Sequence, residues 1–185
     1  AAIRGVTRYA IEQGLSVTGI IRGYEGLLSH EIMPLDRRDV GGIIHRGGTM
    51  LRTARCLEFM EEKTQKEAAA YIRENDIDAL VVIGGDGSMR GAQALSKQGI
   101  PTIVIPGTID NDMDGTEYTI GFDTTVNTVL QCVNRIRDTA YSHDRVAVIE
   151  VMGRHAGFIA LHAGLAAGAE AVLVPEHDVS LEDLC

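Results

Sequence analysis

The sequence has 185 residues, of which 45% are apolar and 23% charged, a composition typical of a chain that folds around a buried core. Its 17 basic and 26 acidic residues give a net charge of −9, which argues against a broad interface with the phosphate backbone of a nucleic acid. No apolar run approaches the ~18 residues that a membrane span needs. We therefore expect neither a nucleic-acid partner nor a membrane partner.

Strand-like and helix-like segments alternate along the chain, which indicates an α/β fold with a mainly parallel sheet. The unbroken apolar run of the strand at 79–84 predicts burial on both faces. Asp123 is the expected N-cap of the longest helix. In chain order the patterns predict a helix at 1–13, a strand at 15–21, a helix at 61–74, a strand at 79–84, a helix at 88–98, a strand at 102–106, a helix at 124–141, a strand at 145–152, a helix at 157–167 and a strand at 171–175.

The three cysteines, Cys56, Cys132 and Cys185, are widely spaced and form no C-x-x-C pair. This spacing indicates neither a zinc site nor a disulfide framework. We therefore expect a reducing, cytoplasmic environment.

The stretch GGDGS at 84–88 ends a predicted strand and precedes a helix. It matches neither standard nucleotide-binding pattern, because no G-x-x-x-x-G-K-[ST] occurs and Arg90 occupies the third glycine position of G-x-G-x-x-G. Backbone N–H groups at a helix N-terminus bind anions, and the Asp86 carboxylate would repel a bare phosphate but suits one that arrives with Mg²⁺. The hypothesis is a site for a metal-bound phosphate. The alternative is a plain turn with a solvated aspartate.

The stretch PGTIDND at 106–112 places Asp110 and Asp112 two residues apart. In an extended loop both carboxylates and the Thr108 side chain would project to one side. Two acids this close either share a cation or raise each other's pKa, so the stretch can supply a metal ligand or a general base. The alternative is a turn in which Asp and Asn serve only the backbone.

The stretch MGRHAG at 152–157 follows another predicted strand and carries Arg154. A fixed cation there can neutralise charge on a phosphoryl group during its transfer. Because parallel strands end at one edge of a sheet, we expect GGDGS, PGTIDND and MGRHAG to converge.

Five motifs taken together resemble bacterial ATP-dependent 6-phosphofructokinases: GGTMLRTARC, VVIGGDGS, PGTIDND, IGFDT and VIEVMGRHAG. They occur in the family's order and span essentially the whole sequence. The resemblance implies the α/β phosphofructokinase fold, with mainly parallel sheets flanked by helices in two lobes. It also implies a partial chain, inactive alone, that lacks the family's amino-terminal strand and loop and its carboxyl-terminal portion.

The resemblance further implies an activity and a division of the chain. The enzyme would transfer a phosphoryl group from MgATP to the 1-hydroxyl of fructose 6-phosphate in glycolysis, giving fructose 1,6-bisphosphate and ADP. Residues 1–121 would form most of the ATP-binding lobe, and residues 122–185 the beginning of the sugar-phosphate-binding lobe.

By the same resemblance, Asp110 matches the general base and Asp86 the acid associated with magnesium. The other expected contacts to ATP are Arg55, Cys56, Gly85, Gly87 and Ser88. The residues expected around the sugar and the transferred phosphoryl group are Thr108, Asp112, Met152, Gly153 and Arg154, with Arg145 reaching the sugar phosphate of a neighbouring subunit.

The resemblance also implies allosteric control of a homotetramer by ADP or phosphoenolpyruvate. The spacing of Arg4 and Arg8 alone favours a solvated basic helix face. Gly42 departs from the acid expected near the effector. The residues that match the family's effector site are Arg4, Arg8, Arg37, Arg137, Gly168 and Glu170.

Two classes of function compete with this hypothesis. One is another enzyme, either a different kinase with a GGDG motif or a pyrophosphate-dependent phosphofructokinase. The other is a non-catalytic nucleotide-sensing subunit, which would have lost the base, whereas Asp110 is present.

Overall fold

A computed structural model describes residues 1–180 and 182 of the chain. By their internal contacts the residues form two compact units, unit 1 (Ala1–Ile105) and unit 2 (Pro106–Cys185). The predicted division of ligand-binding lobes at residue 121 stays a prediction. Within the described residues, every helix is too short or too polar to cross a bilayer.

Unit 1 alternates helices and strands, as the sequence predicts. Its strands form two pairs: β1 with β2, antiparallel, and β3 with β4, parallel and connected by α4. Its elements are α1 (Ala2–Glu12), β1 (Val17–Ile20), α2 (Tyr24–Leu28), β2 (Ile32–Leu35), a 3₁₀ turn (Glu58–Met60), α3 (Glu62–Glu74), β3 (Leu80–Gly84), α4 (Asp86–Lys97) and β4 (Thr102–Pro106). The sequence patterns missed α2, β2 and the 3₁₀ turn, which are too short to show a period.

The hydrophobic core of unit 1 lies between β3 and the helices α2, α3 and α4. It includes Leu27 of α2, Ile72 of α3, Leu80 of β3 and Leu95 of α4, all buried. The prediction that the strand at 79–84 is buried on both faces is wrong, because Val81 in β3 is 43% exposed. Both α4 and α1 contact β3.

Tyr24 connects α2 to the start of α4. Its ring stacks on Phe59 with the centroids 4.2 Å apart. The same ring lies against Gly91 so closely that a Cβ at Gly91 would approach the Tyr24 Cε2 to 2.4 Å. Any side chain at position 91 would therefore push α4 away from Tyr24.

Unit 2 contains α5 (Phe122–Ser142) and α6 (Phe158–Ala167), which pack against each other. Phe122 is 1% exposed and meets the His162 ring edge-on at 5.2 Å. The predicted helices are confirmed, but Asp123 is not the N-cap. The cap is Gly121 at φ 114°, so Asp123 lies in the first turn, where a carboxylate still favours the helix dipole.

The two strands predicted in unit 2 do not form within the described residues. Val146 and Val148 are 94% and 92% exposed, and no strand is assigned to the segment 145–152. The segment 171–175 lies against α6, where a Cβ at Gly164 would be 2.5 Å from the Val172 Cγ2. A strand needs a hydrogen-bonded neighbour, and neither segment has one here.

The contact between Tyr24 and Gly91 predicts an unusual effect on stability. In an open helix, Gly→Ala stabilises by about 0.5–1 kcal/mol. In the natural gene product that contains this sequence, Gly91→Ala should instead lower the free energy of unfolding by about 1–3 kcal/mol, as overpacking does. Urea denaturation followed by circular dichroism measures this change.

Gly5→Ala in α1 is the matched control, because a Cβ there meets nothing within 4 Å. It should be neutral or stabilising. Equal stability gains in both variants would contradict the close packing of Tyr24 on α4.

Candidate functional site

The glycine turn GGDGS lies where the sequence predicts it, between β3 and α4 in unit 1. Gly85 is the N-cap of α4 in an extended conformation, and Asp86 is the first helical residue. A Cβ at Gly84 would approach the Ser88 Oγ to 2.4 Å, so the turn closes tightly only with glycine there. A Cβ at Gly87 would meet nothing within 4 Å, which leaves that side of the turn open.

Arg90 holds the carboxylate of Asp86. Its Nε donates to the Asp86 Oδ1 at 3.1 Å, and its Nη2 lies 3.1 Å from the Oδ2. Both side chains are largely exposed, so the pair contributes little to stability. It orients the carboxylate. This pair was not predicted, although an acid four residues before an arginine in a helix is a recognised signal for an ion pair.

Tyr24 also stabilises this glycine turn, through a hydrogen bond. Its hydroxyl donates to the Ser88 carbonyl oxygen at 2.6 Å, and burial raises the pKa of the Tyr24 hydroxyl, which therefore stays protonated. These residues are 64 positions apart, so no local pattern could have revealed the contact.

The two other residues predicted to contact ATP lie in the segment before α3. Arg55 is exposed, whereas Cys56 is half-buried against the hydrophobic core of unit 1. Their roles stay predictions.

In unit 2 the structure brings together Thr108, Asp110, Asp112 and Arg154. Burial is the main cause that raises the pKa of the Asp110 carboxyl, and the neighbouring Asp112 carboxylate raises it further. Arg154 and a hydrogen bond from the Thr108 side chain act in the opposite direction and lower it. Asp110 thus lies beside one like charge and one opposite charge, whose effects on its pKa oppose each other.

The backbone conformation of this cluster differs from the extended loop expected from sequence. Asn111, between the two acids, is in the left-handed region at φ 55°. Arg154 is also left-handed, at φ 59°, and follows Gly153 at φ 148°. A Cβ at Gly153 would lie 2.4 Å from the Ala156 carbonyl oxygen, so this turn requires glycine. The two acids are therefore brought together by a turn rather than by strand alternation.

The remaining predicted substrate contacts are exposed. Met152 is 73% exposed, and Arg145 is exposed just after α5. Because they are exposed, these two side chains can contact a ligand without any rearrangement of the hydrophobic core. Their roles stay predictions.

The predicted effector residues fall in both units. In unit 1, Arg4 is half-buried and its Nη1 donates to the Val40 carbonyl oxygen at 2.6 Å, while Arg8 and Arg37 are exposed. In unit 2, the Arg137 guanidinium donates to the Ala167 carbonyl oxygen at the end of α6. The two other predicted effector residues of unit 2 lie just after Ala167. Gly168 ends α6 at φ 66°, and Glu170 is exposed.

The side chains in residues 1–180 and 182 form no group of three or more His, Cys, Asp or Glu with a metal-binding arrangement. A site of one carboxylate completed by substrate phosphates is typical of Mg²⁺, and Asp86 fits that description.

Comparison with known proteins gives the family. The model of the family described as Phosphofructokinase matches residues 1–185, and the chain belongs to this family. It is 57% identical over 185 residues to the ATP-dependent 6-phosphofructokinase of Clostridium acetobutylicum. It is 54% identical over 184 residues to the ATP-dependent 6-phosphofructokinase 1 of Clostridium perfringens. Both matches cover 100% of this chain and 58% of the relative's length.

Solved structures confirm the fold. Phosphofructokinase from Saccharomyces cerevisiae matches with a TM-score of 0.84 and 37% identity, over 91% of this chain and 26% of that chain. Pichia pastoris phosphofructokinase in the T-state matches with a TM-score of 0.81 and 35% identity, over 97% of this chain and 22% of that chain. The predicted α/β phosphofructokinase fold is therefore correct.

The charges around Asp110 predict how its pKa responds to substitution. Asp112→Asn removes a like charge and should lower the pKa of Asp110, whereas Arg154→Gln removes the cation and should raise it. Titration of the Asp110 carboxyl carbon by NMR measures both shifts.

Asp138→Asn, on the exposed part of α5, should leave the pKa of Asp110 unchanged. Shifts of the same sign for Asp112→Asn and Arg154→Gln would show that the two charges do not act on Asp110 as the geometry indicates.

Proposed function

We propose that the natural gene product containing this sequence transfers the γ-phosphoryl group of MgATP to the 1-hydroxyl of fructose 6-phosphate, giving fructose 1,6-bisphosphate and ADP. The observation that carries the proposal is the grouping of Asp110 with Asp112 and Arg154. Relatives at 57% and 54% identity are named as ATP-dependent 6-phosphofructokinases, which supports these substrates.

Asp110 is the proposed general base. Its carboxylate takes the proton of the 1-hydroxyl while that oxygen bonds to the γ-phosphorus, and the bond from the γ-phosphorus to the bridging oxygen of ADP breaks. Burial and Asp112 raise the pKa of Asp110, which makes the ionised carboxylate a stronger proton acceptor. As the pH falls through this raised pKa, the base is protonated and the rate should decline.

Arg154 is the proposed electrophilic group. Its guanidinium lies close enough to Asp110 to lower the pKa of that carboxyl, and this proximity supports a role for Arg154 at the γ-phosphoryl group. There it stabilises the negative charge on the equatorial oxygens. The proposed contacts to the sugar phosphate and the reacting phosphoryl group are Thr108, Asp112, Arg145, Met152 and Gly153.

The glycine turn is the proposed nucleotide site. The open face at Gly87 and the N-terminus of α4 admit phosphate oxygens close to the backbone. Asp86 would hold Mg²⁺, which supplies charge neutralisation at the phosphates when bound. Gly85 and Ser88 offer backbone N–H groups to the phosphates, and Arg55 and Cys56 are the further proposed ATP contacts.

Regulation and assembly form a separate part of the proposal. The exposed guanidiniums of Arg8 and Arg37, with Arg4, would bind the phosphates of ADP or phosphoenolpyruvate in unit 1. The corresponding residues of unit 2 are Arg137, Gly168 and Glu170. We propose a homotetramer, because these positions match a family site at a subunit interface. We propose a cytoplasmic location, because the cysteine spacing favours a reducing environment.

Asp110→Ser tests the base. In the natural gene product the substitution should lower kcat by about 10²- to 10⁴-fold with a smaller change in KM, because a base acts mainly in the transition state. Asp114→Asn, a nearby exposed acid, is the control and should leave kcat unchanged. A kcat for Asp110→Ser within about threefold of wild type would assign the base to another group.

The phosphoryl donor provides a second test. Pyrophosphate-using members of the family commonly carry an acid at the position of Gly87 and a lysine at that of Gly107, and both are glycine here. Activity with ATP should therefore exceed activity with pyrophosphate, and Gly87→Asp should lower activity with ATP by about tenfold, as loss of ~1.4 kcal/mol of binding would. Initial rates measured with ATP and with pyrophosphate identify the preferred donor.

The outcomes separate the candidate functions. Higher activity with pyrophosphate would favour the pyrophosphate-dependent enzyme. Binding of ATP without turnover of fructose 6-phosphate would favour the nucleotide-sensing subunit.

A further inference from the structure

We propose that Thr119 and Asn111 are positioning residues that hold the Asp110 loop in its working conformation. The inference deepens the proposed function, on which it rests for the role of Asp110. It comes from a set of hydrogen bonds that joins the loop at 106–112 to the segment just before α5.

Thr119 is the centre of this set. It is a polar side chain that is only 4% exposed. Its hydroxyl donates to the Thr108 carbonyl oxygen at 2.6 Å, and its backbone N–H donates to the Asn111 Oδ1 at 2.8 Å. One residue thus contacts the loop on both sides of Asp110.

The Asn111 side chain completes the connection. Its Nδ2 donates to the Glu117 carbonyl oxygen at 3.0 Å, while its Oδ1 accepts from Thr119. Asn111 also takes a left-handed conformation at φ 55°, which asparagine tolerates better than most residues. Its side chain therefore fixes the turn between Asp110 and Asp112.

A further hydrogen bond transmits the position of Thr108 to Asp110. The Asp110 backbone N–H donates to the Thr108 Oγ1 at 3.2 Å. Thr119 holds the backbone of Thr108, and Thr108 in turn contacts the backbone and the carboxyl of Asp110. The backbone bond from the Ile120 N–H to the Pro106 carbonyl oxygen at 3.0 Å closes the far end of the loop.

This arrangement matters because a general base must lie within hydrogen-bond reach of the proton that it removes. A displacement of ~1 Å by a residue outside the chemistry can cost about 10²-fold in rate. Neither Thr119 nor Asn111 needs to touch substrate to have such an effect. Loosening the loop should lower kcat more than it raises KM for ATP.

Thr119→Val tests the proposal, since it keeps the shape of the side chain and removes the hydroxyl. In the natural gene product we expect kcat to fall by about 10- to 100-fold, with KM for ATP within about threefold of wild type. Thr119→Ser keeps the hydroxyl and should restore most of kcat. Asn111→Gly keeps the left-handed backbone but removes the amide, and should also lower kcat.

Thr128→Val is the matched control. The Thr128 hydroxyl also donates to a backbone carbonyl oxygen, that of Thr124 at 2.8 Å, but on the exposed surface of α5. It should leave kcat unchanged. A fall in kcat for Thr128→Val equal to that for Thr119→Val, or a kcat for Thr119→Ser as low as for Thr119→Val, would overturn the proposal.

A readout without turnover separates this inference from the proposed function. The charged neighbours of Asp110 are Asp112 and Arg154, and neither is changed in Thr119→Val. Loss of the Thr108 contact should raise the pKa of Asp110 in the NMR titration, and Thr119→Ser should keep the wild-type value. An unchanged pKa in Thr119→Val would overturn the positioning role even if the wild type were inactive on fructose 6-phosphate, an outcome that would count against the proposed function alone.

Discussion

The Asp110 carboxyl is half-buried beside a second carboxylate, and Arg154 supplies the opposite charge that makes this arrangement tolerable. Burial and like charge both disfavour ionisation, so a carboxylate in this position needs an adjacent cation or hydrogen-bond donors to stay useful as a base. Asn111 and Arg154 both adopt left-handed conformations, which place the two acids and the guanidinium together.

The same requirement explains why the loop is held by so many hydrogen bonds. Strained backbone persists only where the surrounding structure determines it. Thr119, nearly inaccessible to solvent, contacts the loop through both its hydroxyl and its N–H. Gly121, at φ 114°, brings the start of α5 close enough that a Cβ would lie 3.3 Å from the Ile109 Cγ2. The loop and the start of α5 are one packed assembly.

In unit 1 an aromatic side chain, that of Tyr24, positions the backbone of the candidate site, as the hydrogen bonds of Thr119 do in unit 2. Tyr24 lies against Gly91, stacks on Phe59 and donates to the Ser88 carbonyl oxygen. It thereby fixes the first turns of α4, where the helix dipole and free N–H groups favour a phosphate. The Asp86–Arg90 pair on the same helix orients a carboxylate at that N-terminus. Tyr24 thus fixes the position of the start of α4, whereas Arg90 orients the Asp86 carboxylate there.

The helices were predictable because their hydrogen bonds and side-chain periods are local. Helices α3, α4 and α5 were found within about two residues of their observed ends. The strands at 145–152 and 171–175 were wrongly predicted, and β2 was missed. An apolar run rich in β-branched residues shows only a preference for extended backbone. A strand also needs a hydrogen-bonded neighbouring strand, which its own sequence does not specify.

The sequence by itself determined which residues the candidate site contains, through motifs whose glycines, acids and arginines suit phosphate chemistry, and it determined the family. Only the tertiary structure decided how those residues are held. The contacts of Tyr24 with Ser88 and of Thr119 with Thr108 and Asn111 join parts of the chain with no shared local pattern. A hydrogen bond forms only when donor and acceptor are about 3 Å apart, so these contacts depend on where folding places the backbone. They produce no periodic pattern in the sequence.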